Sequence, residues 1–353
     1  MRKREGRTME DKNADFDFIP KDGTIWANLL HFGTHGWGDP LDGDGRLKRD
    51  FTNRMNFDEK VWKGLTGRMP KTGANMVLVD VFDSVKYRKH PEISVEDAWT
   101  PDRLNAEVRR LKGLGLEPIP KLNFSTTHDA WLKVYHRMVD TPEYYDVCAS
   151  AIAEVAEIFE KPRFFHIGMD EEDYDQTNGF RNAIGTFRRG DVWWHDVKFL
   201  AGCCEKAGSR PWMWADYVKY WPEEFVKRCP KSMLLSCAYY KWGCDEFRDC
   251  ASKGAEWWWK VQLKSMRLLA EKGFDQIPCS SNHYAPGSFA ATVEWCDDCL
   301  DMSHVLGFLM ASWRFTVSGD CERRNNEALA EIEMTIKTRR LRKARTTGQK
   351  CPE

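Results

Sequence analysis

Near the middle of the chain an apolar stretch ends in a glycine and then in a run of acids: Phe164-Phe165-His166-Ile167-Gly168-Met169-Asp170-Glu171-Glu172. Adjacent carboxyl groups can divide acid–base work, one moving a proton while the other faces developing positive charge. Neighbouring residues of a regular strand point to opposite faces. Asp170 and Glu171 can therefore serve one site only where the strand breaks, and Gly168 permits such a break. The competing reading is a helix start whose first turn carries acids that complement the macrodipole. On residue types alone the two readings stand level. Glu172 and Asp173 read as surface acids of the following loop, and His166 as a packed strand residue without a direct chemical role.

The elements that must position these acids recur along the whole chain. Eight short apolar runs alternate with helical or polar stretches: 25–32, 74–82, 116–124, 163–169, 211–217, 233–240, 276–281 and 305–313. They are near-continuously apolar, as parallel strands buried on both faces require. Thr100-Pro101-Asp102 and Thr141-Pro142-Glu143 each supply an N-cap, a first-turn proline and an acid. Eight strand–helix alternations predict an α/β fold, a single-domain (β/α)8 TIM barrel over residues 21–338. A polar lead-in (1–20) precedes it, and a basic tail (339–353) follows.

In such a barrel the active site lies at the C-terminal ends of the strands. The residues closing the runs are His31 and His35, Asp80 and Asp83, Asn123 and His128, and Asp170 and Glu171. Trp214 and Asp216, Tyr239 and Trp242, His283 and Tyr284, and Trp313 complete the set. Carboxylates handle protons and flat aromatic faces suit a sugar ring. A carbohydrate is the expected partner.

Composition narrows the classes further. Lys plus Arg is 53 against 54 Asp plus Glu, a net charge of −1, which gives no basic excess for nucleic acid and no pull toward an anionic membrane. No stretch approaches the roughly 20 apolar residues of a membrane helix, and the charged first residues lack the apolar core of a signal peptide. A cytoplasmic enzyme is expected. The 12 cysteines are scattered, without the paired spacing of a zinc site, so neither metal nor cofactor is expected. Trp257-Trp258-Trp259 is open to two readings, a sugar platform or a homo-oligomer contact.

The strand-four motif His166-Ile167-Gly168-Met169-Asp170-Glu171 resembles the His-x-Gly-Gly-Asp-Glu of glycoside hydrolase family 20, the β-N-acetylhexosaminidases. The resemblance implies Glu171 as general acid/base and Asp170 as the residue orienting the substrate's own acetamido group, which acts as nucleophile. Asn75, Asp83, Tyr87 and Arg88 match the family's spacing after strand two. Pro120-Lys121-Leu122-Asn123 and Thr127-His128 fall at strand three and its loop, with His128 displaced by one residue from the family's His, and the resemblance implies a catalytic relay Asp83–His128–Glu171. Trp214, Tyr284 and Trp313 fall where the family walls its sugar pocket. Four departures bear on sugar recognition. Met169 replaces the second glycine, His31 stands for a sugar-clamping Arg, Asn123 stands for an Asp, and Trp313 is followed by Arg314-Phe315-Thr316 without the family's Glu.

The expected function is a retaining, exo-acting glycosidase for a β-linked hexosamine-type sugar. Its substrate contacts would come from His31, Asn123, Trp214, Asp216, Tyr239, Trp242, Tyr284 and Trp313. Two alternatives remain. One is a carbohydrate-binding barrel without turnover. The other is a glycosidase that pairs Glu171 with a separate carboxylate, Asp216 or Asp83.

Overall fold

The computed structural model describes residues 23–33, 53–172, 188–240, 253–283 and 285–346. All eight expected runs form strands: β1 (Ile25–His31), β2 (Met76–Asp80), β3 (Glu117–Lys121), β4 (Phe164–His166), β5 (Arg210–Trp214), β6 (Leu234–Ser236), β7 (Cys279–Ser280) and β8 (Gly307–Ala311). They are parallel, in the order β6-β5-β4-β3-β2-β1-β8-β7. Isolated bridges from Leu235 to Gln276 and from Ala238 to Cys279 join the two outer strands, so the barrel is nearly closed.

Helices follow the strands on the outside: α1 (Glu59–Thr72), α2 (Pro101–Gly113), α3 (Pro142–Ile158), α4 (Gly190–Lys206), α5 (Pro222–Arg228), α6 (Lys253–Glu271), α7 (Ser288–Cys299) and α8 (Asp320–Thr346). The start signals act as read. The Thr100 hydroxyl accepts from the Arg103 amide and the Thr141 hydroxyl from the Tyr144 amide. Each thus satisfies an N–H left open by the first helical turn. Among the described residues no helix is long and apolar enough to cross a membrane.

The C-terminal boundary lies beyond position 338, because α8 runs on to Thr346. Arg339 is buried and forms a two-pronged pair with Asp297 of α7 at 2.7 and 2.8 Å. Its guanidinium also lies 5.5 Å from the centre of the Trp26 ring. The expected tail therefore begins inside a packed helix.

Alternate residues of each strand fill the barrel. Ala27, Leu29, Met76, Leu78, Ile119, Phe164, Trp212, Leu234 and Leu309 form the dry interior. A polar row crosses four strands, with His31 beside Asp80, Asp80 beside Lys121 and Lys121 beside His166. Asp80 takes Lys121 on one carboxylate oxygen and His31 Nδ1 on the other. Burial alone would push the Asp80 carboxyl up. The Lys121 charge and then His31 outweigh it and hold Asp80 below the usual carboxylate range.

The register between β3 and β4 pairs Lys121 with His166, near the mouth. The amides of Leu122 and Phe124 reach His166 and Ile167 of the β4 side, while Glu117 donates to Asn75 on the β2 side. The β4-facing positions earlier in the strand are Pro118 and Pro120, which have no N–H to give. Side chains bind this seam lower down, where Arg163 Nε and Nη2 donate to the two carboxylate oxygens of Glu117.

The polar row generates a prediction. Replacing Lys121 with Met strands a buried carboxylate, and loss of one partner of such a pair costs about 3–5 kcal/mol. Urea unfolding of Lys121→Met should show that loss, and adding Asp80→Leu should recover much of it. Equal midpoints for wild type and Lys121→Met would overturn the assignment.

Candidate active site

The acids sit where β4 stops. Gly168, Met169 and Glu171 all adopt left-handed backbone, at φ of 76°, 69° and 57°. Three such residues within four positions turn the chain out of the strand and bring consecutive side chains into one site. Non-glycine residues held in this region store strain that the surroundings must balance. The glycine is obligatory for a second reason. A Cβ at position 168 would lie 1.9 Å from Asn123 Oδ1.

Asn123 uses that close approach. Its Oδ1 accepts the amides of Ser125 (3.0 Å) and Met169 (3.3 Å), and its Nδ2 donates to Asp170 Oδ1 at 2.8 Å. One amide group thus joins the loops after β3 and β4. The Asp170 carbonyl takes the hydroxyls of Ser125 and Thr127. Trp131, fully buried, donates its indole N–H to the Asn123 carbonyl at 2.7 Å and fixes the β3 loop from behind.

His128 faces both acids. Its Nε2 lies 2.9 Å from Glu171 Oε2 and 3.5 Å from Asp170 Oδ2. Burial alone would discharge the ring, but Asp170 and Glu171 together raise its pKa to about 9. Asp170 is raised above the ordinary range, first by burial and then by the like charge of Glu171, with His128 opposing. The Asp170 side chain is 14% exposed and that of Glu171 34%, so Glu171 is the carboxylate a ligand reaches more readily. His128 Nδ1 has no hydrogen bond among the described residues. The hydrogen-bonded relay therefore stops at His128. Asp83 is fully buried in the loop after β2.

Several other expected residues lie elsewhere. His31 is only 2% exposed, bound to Asp80 and packed near the Trp313 and Phe315 rings, so it leaves little surface to clamp a ligand. Asn75 sits at the opposite end of the barrel, bonded to Trp26 and Thr24. Arg88 pairs with Glu157 on the outer surface. His166 packs against Trp212 and Trp214, accepts the Gly168 amide on Nδ1, and is held well below its usual pKa by burial and then Lys121.

Trp214 and Trp313 pack on each other, ring centres 5.8 Å apart and planes tilted by 54°, but Trp214 is only 2% exposed and lies beneath the surface. Tyr239 does not join them. It packs against the outer core, and Tyr240 instead accepts the Trp313 indole N–H at 2.8 Å. Asp216 is partly buried, and its Oδ1 binds Lys219 at 2.6 Å. Trp242, Tyr284 and His35 lie outside the described residues, as do the side chains of Trp257, Trp258 and Trp259.

Glu172 is not a surface acid. It is 3% exposed and ion-paired with Arg188, which is also buried and binds Asp196 at 2.6 Å. Glu172 Oε1 accepts the Thr126 amide, and Oε2 the Arg188 amide. Arg188 further donates to the Phe124 carbonyl, so the buried pair ties the β3 loop to both ends of the β4 loop. Nothing in the local sequence around Arg188 marks it, since its partner is 16 residues away. Elsewhere Asp140, His195 and Asp196 offer ligand atoms within 4.8 Å of one another. The Tyr145 hydroxyl bonds to all three.

The His128 environment can be read in solution. Histidine resonances should include one that titrates near 9, and Glu171→Gln should lower it. Because the folded pKa lies above the unfolded 6.5, this contribution to stability is complete below about 6.5 and is lost as pH rises through about 9. A His128 ring that titrates in the ordinary range would refute the arrangement.

No protein-family model and no curated protein matches the sequence. Solved structures do. The chain is similar to a β-N-acetylhexosaminidase from Bacteroides fragilis, with 11% identity and a TM-score of 0.55, over 88% of this chain and 65% of that one. It is similar to an inactive mutant of the family 20 exo-β-N-acetylglucosaminidase from Vibrio harveyi, with 13% identity and a TM-score of 0.54, over 87% of this chain and 54% of that one. Dispersin B matches with 15% identity and a TM-score of 0.54, over 89% of this chain and 98% of that one. The chain thus spans about half the length of the Vibrio enzyme. At these identities the likeness is one of fold. The barrel has the fold of these glycoside hydrolase family 20 structures.

Proposed function

We propose that the chain is a glycoside hydrolase, retaining and exo-acting, that takes a β-linked hexosamine-type sugar. The observation that carries this reading is a single imidazole nitrogen set against two consecutive carboxylates, 2.9 Å from Glu171 and 3.5 Å from Asp170. Glu171, the more open of the two, protonates the glycosidic oxygen and later activates water. Up to about pH 9 His128 keeps one proton on the His128–Glu171 pair, from which Glu171 can be supplied. Asp170 is more enclosed and is steered by Asn123. That suits a carboxylate that orients a substrate acetamido group and supports the positive charge it develops. Trp313, partly exposed and backed by the buried Trp214 ring, offers an aromatic platform for the sugar. The fold likeness to structures described as β-N-acetylhexosaminidases supports the same class.

The reading is tested with aryl glycosides, N-acetylated and not. Hydrolysis of the N-acetyl-β-hexosaminide is expected, with Glu171→Gln lowering it by about 10²–10⁴-fold. The alkaline limb of kcat/KM should fall near pH 9 and move to lower pH in His128→Ala. Release only from non-acetylated sugars would overturn the role of Asp170. Binding of sugars with no hydrolysis of any would favour the alternative, a barrel that binds carbohydrate without turnover.

A further inference from the structure

The network that begins at Glu172 and Arg188 ends in a cluster of ligand atoms. Asp196 of α4 binds Arg188 through Oδ2, at 2.6 Å. Its other oxygen faces Tyr145 of α3 and its own neighbour His195. Asp140, in the turn before α3, closes the group, and the ligand atoms of Asp140, His195 and Asp196 lie within 4.8 Å of one another. Asp196 is fully buried, whereas the His195 side chain is 60% exposed and Asp140 is open to solvent. The cluster thus has a buried base and a side that an ion in solution can reach. Its residues come from α4 and from the start of α3, so no paired spacing marks it in the sequence.

The hydrogens do not suffice for the contacts. Tyr145 Oη lies 2.6 Å from Asp140 Oδ1 and 2.6 Å from Asp196 Oδ1. Oxygens that close hold a hydrogen between them, and a phenol has only one to give. His195 Nδ1 lies 3.1 Å from both Tyr145 Oη and Asp196 Oδ1, and it adds at most one more, at a longer reach. With both carboxylates ionised, one of the two short oxygen–oxygen contacts is left without a hydrogen. A cation among the four atoms relieves it.

We propose that Asp140, His195 and Asp196 form a binding site for a divalent transition-metal ion of the zinc class, with the Tyr145 phenol oxygen beside it. Two carboxylates balance the charge of the ion. The imidazole nitrogen favours zinc and its neighbours over calcium and magnesium, which prefer oxygen ligands alone. His195 ligates through Nδ1 and carries its hydrogen on Nε2. Tyr145 gives its hydrogen to one carboxylate and turns a lone pair to the ion. Arg188 orients Asp196 through its other oxygen, as the outer partners of metal ligands do, and its charge holds the affinity to the micromolar range. An ion here fastens α3 to α4 and terminates the chain of pairs that starts at Glu172, next to Glu171. The site stands apart from the glycosidase reading, and its test reads no activity.

The protein is stripped with a chelator and titrated calorimetrically with Zn2+, Mn2+, Ca2+ and Mg2+, for wild type, Asp140→Asn and His195→Gln. Both altered residues are exposed, and circular dichroism confirms that the variants fold. Wild type should take up Zn2+ more tightly than Ca2+ or Mg2+. Changing an outer partner of a metal ligand costs about 10–100-fold in affinity, so loss of a ligand in either variant should cost at least about tenfold. Zn2+ should raise the thermal midpoint of wild type more than that of either variant. Co2+ in the site should give visible absorption without the near-ultraviolet band of thiolate ligation, which separates it from binding at cysteines. Binding equal in wild type and both variants, or binding with the thiolate signature alone, overturns the site. No saturable binding of any ion also overturns it, and is the result that a proton shared between the two carboxylates would give. Tighter binding of Ca2+ than of Zn2+ overturns the assigned class of metal.

Discussion

The amide of Asn123 occupies the space that a side chain at position 168 would fill, and the geometry of the acids follows from that contact. An asparagine can accept with Oδ1 and donate with Nδ2 at once. Here Oδ1 gathers two backbone amides while Nδ2 steers Asp170. An aspartate could accept both amides, but it would turn a second carboxylate toward Asp170 and have no N–H to give. The departure at position 123 from the family pattern therefore changes how Asp170 is held. Gly168, the left-handed turn at Met169 and the exposed position of Glu171 all depend on this packing.

Charge is layered along the barrel axis. The apolar interior ends in the buried row His31, Asp80, Lys121 and His166, in which Asp80 binds Lys121 on one oxygen and His31 on the other. Two histidines, His166 in this row and His128 in the loop after β3, take opposite states for reasons visible in their neighbours. His166 sees aromatic rings and the Lys121 cation and stays neutral. His128 sees two carboxylates and is charged. The same burial acts on both rings, and the sign of the nearest charge decides between them. Beside the mouth, the buried Glu172–Arg188–Asp196 network keeps the two loops in register without lending a group to the site.

The strands were legible because parallel strands covered on both faces need near-continuous apolar runs, and all eight such runs form strands. Asp170, Glu171 and His128 were legible as a set through the strand-four motif and its spacing to the β3 loop, and the structure brings them together. Three kinds of information were hidden. Which of two adjacent rings meets a partner turns on a single residue, and Tyr240 rather than Tyr239 bonds to Trp313. Burial of an acid depends on a partner distant in sequence, so Glu172 looked like a loop acid until Arg188 was placed beside it. A polar residue at a strand end can turn to a buried neighbour as readily as to the mouth, and His31 turned to Asp80 near the Trp313 ring.

The prolines of β3 have a consequence for how the wall coheres. A proline offers no amide hydrogen to the neighbouring strand, so something other than its own N–H must hold the wall at that position. Low in the seam between β3 and β4 the Arg163 guanidinium, at the start of β4, reaches both carboxylate oxygens of Glu117 at the start of β3. A backbone ladder accepts almost any side chain, whereas this clasp is specified by two particular residues. That stretch of wall is therefore where the barrel depends on residue identity rather than on secondary structure.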